Sequence, residues 1–532
     1  MQAFERSNHR GYVHNARELI TWSEEEWLAS NMSLQQKSVD YRGYRTAGIR
    51  LSEELWTDRL FASRNHERAP LKSILDFDKA HLVMLVETGL VEKGDGRKML
   101  AEIRDIEANG VLLGEWDGGM HWTEQQLIQR LGEQIGGWIN LGRSTGDISE
   151  VSRRLNARRL IFCNIHMLNS LREVLLKLAM KFVETVVPGQ TFLQHAQPTT
   201  LGHWLSMWAA TLDRDVQRYM ELAVRVNQSP AGAGILSTTD FEIDRERVSE
   251  LLGFDRPIAN SLDAIMSHDV GLETISVVTI AAMNLARIAD DLELWMSTEY
   301  RYVDFPDRFC ATSSIMPQKR NPNIPQQIKA QCAKAIGAMS LGIASERGAT
   351  GQPMLERFEC DVVLWELLED LPRIMGDLST MLDAIEVDDR RMRESSERHW
   401  ASASDLASLI VTECGLSWRT AHQICAVVIR LCYERGLEPR DLTSAIVDEA
   451  ACMYRGEPLS ISSNSLRSAL DPITSVHRRT VRGGSAPSAV SREIACMQER
   501  LGHDVRAASV CERNIAESEV RLTEVIDRML AG

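Results

Sequence analysis

The chain has 532 residues and a formal net charge of −15, with 44% apolar and 25% charged residues, proportions of a soluble globular protein long enough for two or three domains and a large core. No basic run offsets the acidic balance, which argues against nucleic-acid phosphate or an anionic membrane as partner but leaves room for a small anionic substrate held by a local cluster of Arg and Lys. Ten cysteines scattered from Cys163 to Cys511 without a Cys-x-x-Cys pair disfavour both a zinc site and a disulfide framework. With no apolar segment behind Met1 and no uninterrupted apolar run of about 18 residues, the expectation is a cytoplasmic protein in a reducing compartment.

Residues 1–48 are polar, with a short helical pattern around Trp22 and Trp27, and read as an N-terminal extension. Leu82, Leu85, Val86, Leu90, Leu100, Ile103 and Ile106 then recur at helical spacing with Gly89 and Gly94 as breakers, which predicts a small helical domain over 49–122. Proline is absent from Leu71 to Val187, so long helices are expected over 124–138 and 149–187. The second of these carries Leu155, Leu160, Ile165, Leu168, Leu171, Leu175 and Leu178 along one stripe. Thr199 or Thr200 can cap a third helix, in which Leu201, Trp204, Leu205, Trp208, Leu212, Val216 and Tyr219 step by three or four; a core stripe accounts for those tryptophans. A fourth helix lies between Pro257 and Pro306 and is apolar nearly all round from Ile275 to Leu285, as a helix covered on every side would be. A fifth follows Pro325. These elements predict an all-α fold in three helical domains, with a central long-helix bundle over 123–376 whose all-round apolar helix is shared between subunits. Charge density rises after Gly376, from Asp388 to Arg393, and marks a boundary to a third helical domain over 377–532.

A bundle places its chemistry in the polar loops between its helices. Residues 142–147 offer Arg143 for a bidentate grip on a carboxylate and Ser144 with the free amides of a helix start; a solvated turn fits the same residues. Residues 189–198 offer Thr191, several amides and His195, whose imidazole alone fits a hydrogen-bonded structural role. The densest stretch is Ala311-Thr312-Ser313-Ser314-Ile315-Met316-Pro317-Gln318-Lys319-Arg320-Asn321-Pro322, too polar and too broken by proline for a core helix. It holds what removal of a proton beside a carboxylate requires: a hydroxyl that acts as base when a cation lowers its pKa, and an ammonium and an amide for the charge that builds on the substrate. A Pro-rich turn joining two helices fits these residue types as well.

Ser313 to Pro322 resembles the Ser-Ser-x-Met-Pro-x-Lys-x-Asn-Pro signature of the fumarase/aspartase superfamily, a long and specific match. Gln194 through Leu205, Arg225-Val226-Asn227-Gln228-Ser229-Pro230, Asn260-Ser261-Leu262-Asp263-Ala264, Gly483-Gly484-Ser485 and Pro487 resemble the argininosuccinate lyase branch, so the similarity spans roughly 52–495. The resemblance implies an all-α homotetramer whose active sites each draw on three subunits, and β-elimination from a succinyl compound with release of fumarate. It assigns Ser313 as general base, Lys319 and Asn321 to the substrate carboxylate, and Arg143, Ser144 and Thr191 as further substrate contacts. No metal or organic cofactor is implied.

The departures from that branch are coordinated. Ser-Arg-Asn-Asp-Gln becomes Ser144-Thr145-Gly146-Asp147-Ile148, which removes the substrate-binding Asn. Thr-His-Leu-Gln becomes Thr191-Phe192-Leu193-Gln194, which removes the proton-delivering His, and the acidic partner of that His is Gln326. An early substrate-contacting Ser is Asp78, the Gly before the serine pair is Thr312, and the Tyr and Lys that hold the amino-acid half have no match in Gly351-Gln352-Pro353-Met354-Leu355-Glu356-Arg357. Phe192 and Gln326 cannot exchange a proton, so the expected reaction is an elimination whose leaving group needs no protein acid. An N-substituted aspartate or a nitrosuccinate-like acid meets that condition; argininosuccinate itself is the second alternative and a catalytically inactive structural or regulatory homologue the third.

Overall fold

A computed structural model describes residues 71–108, 120–351 and 354–532. The expected extension over 1–48, with Trp22 and Trp27, and the stretches 49–70 and 109–119 of the expected N-terminal domain lie outside the described residues.

The fold is all-α, organised by six long helices. After α1 (Leu71–Glu87), α2 (Lys93–Ala108) and α3 (Trp122–Leu131) come α4 (Thr145–Lys181), α5 (Leu201–Val226), α6 (Asp269–Met296), α7 (Asn323–Ser345), α8 (Met354–Asp383) and, at the C-terminus, α9 (Pro487–Ala531). Ser144 starts α4 with a capping box: its hydroxyl accepts from Gly146 N–H and the Asp147 carboxylate accepts from Ser144 N–H, so donors left unpaired by helix geometry are satisfied. Thr200 starts α5, accepting from His203 N–H. Leu160, Ile165, Leu168, Leu171 and Leu175 of α4 pack with Leu205, Leu212, Val216 and Tyr219 of α5 and Val278, Leu285 and Leu292 of α6 into one buried core. Trp204 and Trp208 belong to it as expected, flanking Trp295 and donating their indole N–H groups to Asp291 at 3.1 and 3.3 Å.

Three features differ from the sequence expectation. The helix expected over 124–138 stops at Leu131 because Gly132 takes a left-handed φ of 83°, a conformation glycine adopts without strain. The helix expected to reach Val187 ends at Lys181, and β1 (Val186–Thr191) pairs antiparallel with β2 (Gln194–Thr200) instead. The position taken as a domain boundary, Gly376, lies inside α8, and the chain after His477 returns to the bundle: Val490, Ile494 and Met497 of α9 join the central core while Leu522, Val525 and Ile526 join that of α1 and α2. A separate small core forms from Leu406, Ile410, Ile424, Val428, Val447 and Leu466. Among the described residues α6 alone is long and apolar enough to span a bilayer, yet half of its most apolar window is buried inside the bundle.

Candidate active site

The Ser313 stretch is an ordered loop carried on a short hairpin. The two-residue strands β3 (Ala311–Thr312) and β4 (Arg320–Asn321) pair antiparallel, Ala311 opposite Asn321 and Thr312 opposite Arg320, and lift the intervening residues into solvent. Thr312 therefore occupies extended backbone that needs no glycine. Arg320 anchors the base: its guanidinium bonds Asp304 at 2.9 Å, Asp307 at 2.9 Å and the Phe305 carbonyl at 2.7 Å. Within the loop the Ser313 hydroxyl oxygen accepts from the Ile315 N–H at 3.3 Å and the Met316 N–H at 3.1 Å. Two amides aimed at one oxygen favour its anionic form, as an oxyanion hole does. Lys319 is exposed on the same loop and has no ion-pair partner among the described residues. At the start of α7 the Gln326 amide donates to Glu293, a carboxylate also paired with Lys329, which bonds Asp290 at 3.1 Å as well.

Thr191 ends β1 and is exposed, and the turn joining the strands consists of Phe192 and Leu193. Both are left-handed, with φ of 53° and 57°, and the Phe192 ring is 98% exposed. His195 lies edge-on to His399 with ring centres 5.1 Å apart; burial, and then the neighbouring His399, hold its pKa below the usual histidine value, which suits a neutral structural imidazole.

The first segment is occupied by its own contacts. Ser144 caps α4, and its hydroxyl also donates to Asp147 at 3.0 Å. The Arg143 guanidinium bonds Asp78 at 2.6 Å and the Asn140 side chain at 2.9 Å and stacks over the Phe77 ring, with its side chain 2% exposed and that of Asp78 1%. A buried guanidinium requires such a partner, so in the isolated chain the charge expected to meet substrate meets Asp78. His121 links Asn140 to Thr145 through contacts of 3.0 and 2.8 Å. Gly146 stands where the resemblance expects an asparagine, and a Cβ there would meet Ile235 Cδ1 at 2.8 Å. Asp78 was visible in the sequence only as a missing serine; its pairing with a residue 65 positions away, and the roles of Asn140 and His121, carried no sequence signal.

The six candidate residues divide between two ends of the bundle. Helix α4 has 37 residues, hence about 55 Å of length, and separates Arg143 and Ser144 at its start from Thr191 beyond its end. Helix α6 begins beside the start of α4, where His268 approaches Glu150, and ends where Trp295 meets Trp204 near β2. From there the chain passes Tyr300, whose hydroxyl bonds Gln190 of β1 at 3.3 Å, and continues to Ser313, Lys319 and Asn321. One chain therefore gathers Thr191, Ser313, Lys319 and Asn321 at a single end and leaves Arg143 and Ser144 at the other.

A lyase family model matches residues 79–337 and an argininosuccinate lyase C-terminal model residues 400–477. The argininosuccinate lyase of Methanocaldococcus jannaschii is 32% identical over 83% of this chain and 93% of its own length. Among solved structures, EDDS lyase in complex with formate superposes with a TM-score of 0.81 at 25% identity, over 88% of this chain and 93% of its own. A variant of EDDS lyase with bound fumarate gives 0.80 at 26% identity, with the same shares covered. Agreement in fold, in the serine signature and over this length of sequence establishes that the chain belongs to the argininosuccinate lyase branch of the fumarase/aspartase superfamily.

Proposed function

We propose that the protein is a fumarate-releasing carbon–nitrogen lyase acting on an N-substituted aspartate or a nitrosuccinate-like acid. Ser313 takes the Cβ proton of the succinyl moiety, Lys319 and Asn321 hold the aci-carboxylate that forms, and Thr191 and Ser144 contact the carboxylates. Arg143 fixes the loop that carries Ser144. The observation that carries this reading is the Ser313 hydroxyl held by two backbone amides on a loop that also presents Lys319. Phe192 and Gln326, with the Glu293 carboxylate already paired to Lys329, leave no proton donor at the positions that would serve a poor leaving group, so the substituent departs without one. EDDS lyase, with fumarate bound in one of its structures, is a relative in keeping with this.

The site is assembled from several copies in a homotetramer. Support comes from the separation of the two ends by the length of α4 and from apolar side chains left uncovered on the bundle, Ile280, Ile336 and Ile343 at 40, 54 and 55% exposure. Ten cysteines without a disulfide suit a cytoplasmic setting. The test is the ultraviolet absorbance of fumarate on incubation with a panel of succinyl compounds, wild type against Ser313→Ala; no fumarate from any of them refutes the proposal. A second reading, argininosuccinate as substrate, draws on the archaeal relatives. Growth of an arginine auxotroph carrying this chain would establish it in place of the first.

A further inference from the structure

We infer that Phe192 sets the substrate class: the departing half of the substrate is an amine with an uncharged, apolar substituent, packed against the Phe192 ring. This rests on the carbon–nitrogen lyase reading and narrows it. The first observation is local. A two-residue hairpin turn with both residues left-handed favours Asn-Gly, and here it holds Phe192 and Leu193 at φ of 53° and 57°. A bulky side chain in that region is strained, and the ring also stands 98% exposed, so neither hairpin geometry nor the core of this chain accounts for a phenylalanine. Its partner lies outside the chain. Thr191, the preceding residue, is the one assigned to a substrate carboxylate, so whatever Thr191 holds lies beside the ring.

The second observation is the charge inventory of the site loops. Arg143 is paired with Asp78, Arg320 with Asp304 and Asp307, and Lys329 with Glu293 and Asp290. Among the described residues of the three segments Lys319 alone remains as an unpaired cation, and the succinyl carboxylates require it. These segments supply no second free cation for a carboxylate on the departing half, and the carboxylates packed against their cations and against Gln326, namely Asp78, Asp304, Asp307 and Glu293, are already paired. A charged substituent would be desolvated without a partner, which a site rejects strongly.

The chemistry balances without a protein acid. The substrate nitrogen is a secondary ammonium; Ser313 Oγ takes the Cβ proton, the Cα–N bond breaks with its electron pair passing to nitrogen, and a neutral primary amine leaves beside fumarate. The amine then takes up a proton, and no oxidant or reductant enters.

The experiment measures kcat/KM for fumarate release by the full-length protein with N-benzylaspartate, N-butylaspartate, N-methylaspartate, N-(carboxymethyl)aspartate, argininosuccinate and nitrosuccinate. The wild type is expected to favour N-benzylaspartate over N-(carboxymethyl)aspartate by about a hundredfold. Phe192→Ala is expected to lower the N-benzyl value at least tenfold while N-methylaspartate changes by less than about threefold, and Phe192→Leu to keep most of the apolar preference. Wild-type preference for a charged substrate or for nitrosuccinate overturns the inference and leaves the lyase reading standing. An equal loss for every substrate in Phe192→Ala, or dissociation of the assembly seen by size-exclusion chromatography, also overturns it, because the ring then serves the fold or a neighbouring copy. No fumarate from any compound overturns the lyase reading itself.

Discussion

The Asp78–Arg143 pair gives a quantitative test of how the first segment is built. The two side chains are 1% and 2% exposed, bonded at 2.6 Å, with Phe77 stacked below the guanidinium and Asn140 bonded to it as well. Asp78→Leu leaves a buried guanidinium without its carboxylate, and breaking a buried pair from one side typically costs about 3–5 kcal/mol. Arg143→Met strands the carboxylate and costs about the same. Removing both charges leaves neither stranded, so Asp78→Leu with Arg143→Met should cost at most about 2 kcal/mol, since apolar replacement of such pairs is often neutral. The double-mutant cycle, read from urea midpoints of the assembled enzyme, should therefore give a coupling energy of several kcal/mol. Additive single costs would refute the reasoning, because they would mean that the two charges do not depend on each other. Catalysis supplies a second readout. If Arg143 acts by fixing the loop, its loss lowers kcat and raises KM together; a change in KM alone would place it on the substrate.

Acid should destabilise the protein with a definite sign. Burial, then Arg143, push His81 down to about 3, and burial, then Arg153, push His268 down to about 2, so both are neutral when folded and take up protons when unfolded below the ordinary value near 6.5. Each then removes about 1.4 kcal/mol per pH unit below that value. Burial raises Asp361 to about 6 against the pull of Arg153, so its contribution is present below its unfolded pKa and is lost as pH rises through about 6. His195 and His203, also lowered by burial, add to the loss, while Asp215, Asp291 and Glu346, raised by burial, oppose it; the large shifts of His81 and His268 decide the direction, so the urea midpoint should fall from pH 6.5 to 5, and a rising midpoint would contradict the assignment. Arg320→Ala should change stability by less than about 1 kcal/mol, as its pairs with Asp304 and Asp307 are exposed. Fumarate release should nevertheless drop about 10–100-fold as the Ser313 hairpin loses its anchor. Gly146→Asn alone should not restore turnover of argininosuccinate, because Phe192 and Gln326 still supply no proton to the leaving group and the new Cβ must also displace Ile235 Cδ1 at 2.8 Å; recovery by that single change would contradict the role given to the missing acid.

The periodicity of leucine and valine through α4, α5 and α6 made the bundle legible, since each helix buries one continuous stripe. The β1–β2 hairpin was hidden because Val186 and Val187 continue the apolar stripe that precedes them, and only the turn after Lys181 releases the chain into strand. Gly376 misled for a related reason: the charge after it belongs to the segment following α8, while α8 itself runs on to Asp383. The Ser313 stretch was legible as chemistry from its residue types, whereas its two backbone donors and the Arg320 anchor depend on a fold that brings Asp304 and Asp307 under the hairpin. The engagement of Arg143 was invisible, since pairing with Asp78 is set by how α1 packs on the start of α4, a contact with no local pattern.

The central claim is that Ser313, made basic by the Ile315 and Met316 amides, removes the proton whose loss expels the nitrogen. Steady-state fumarate release from the preferred aspartate derivative by Ser313→Ala, with assembly and helicity checked unchanged, tests it most directly. The account predicts a fall of about 10²–10⁴-fold, the usual contribution of a positioned base. A variant that retains the wild-type rate would contradict it.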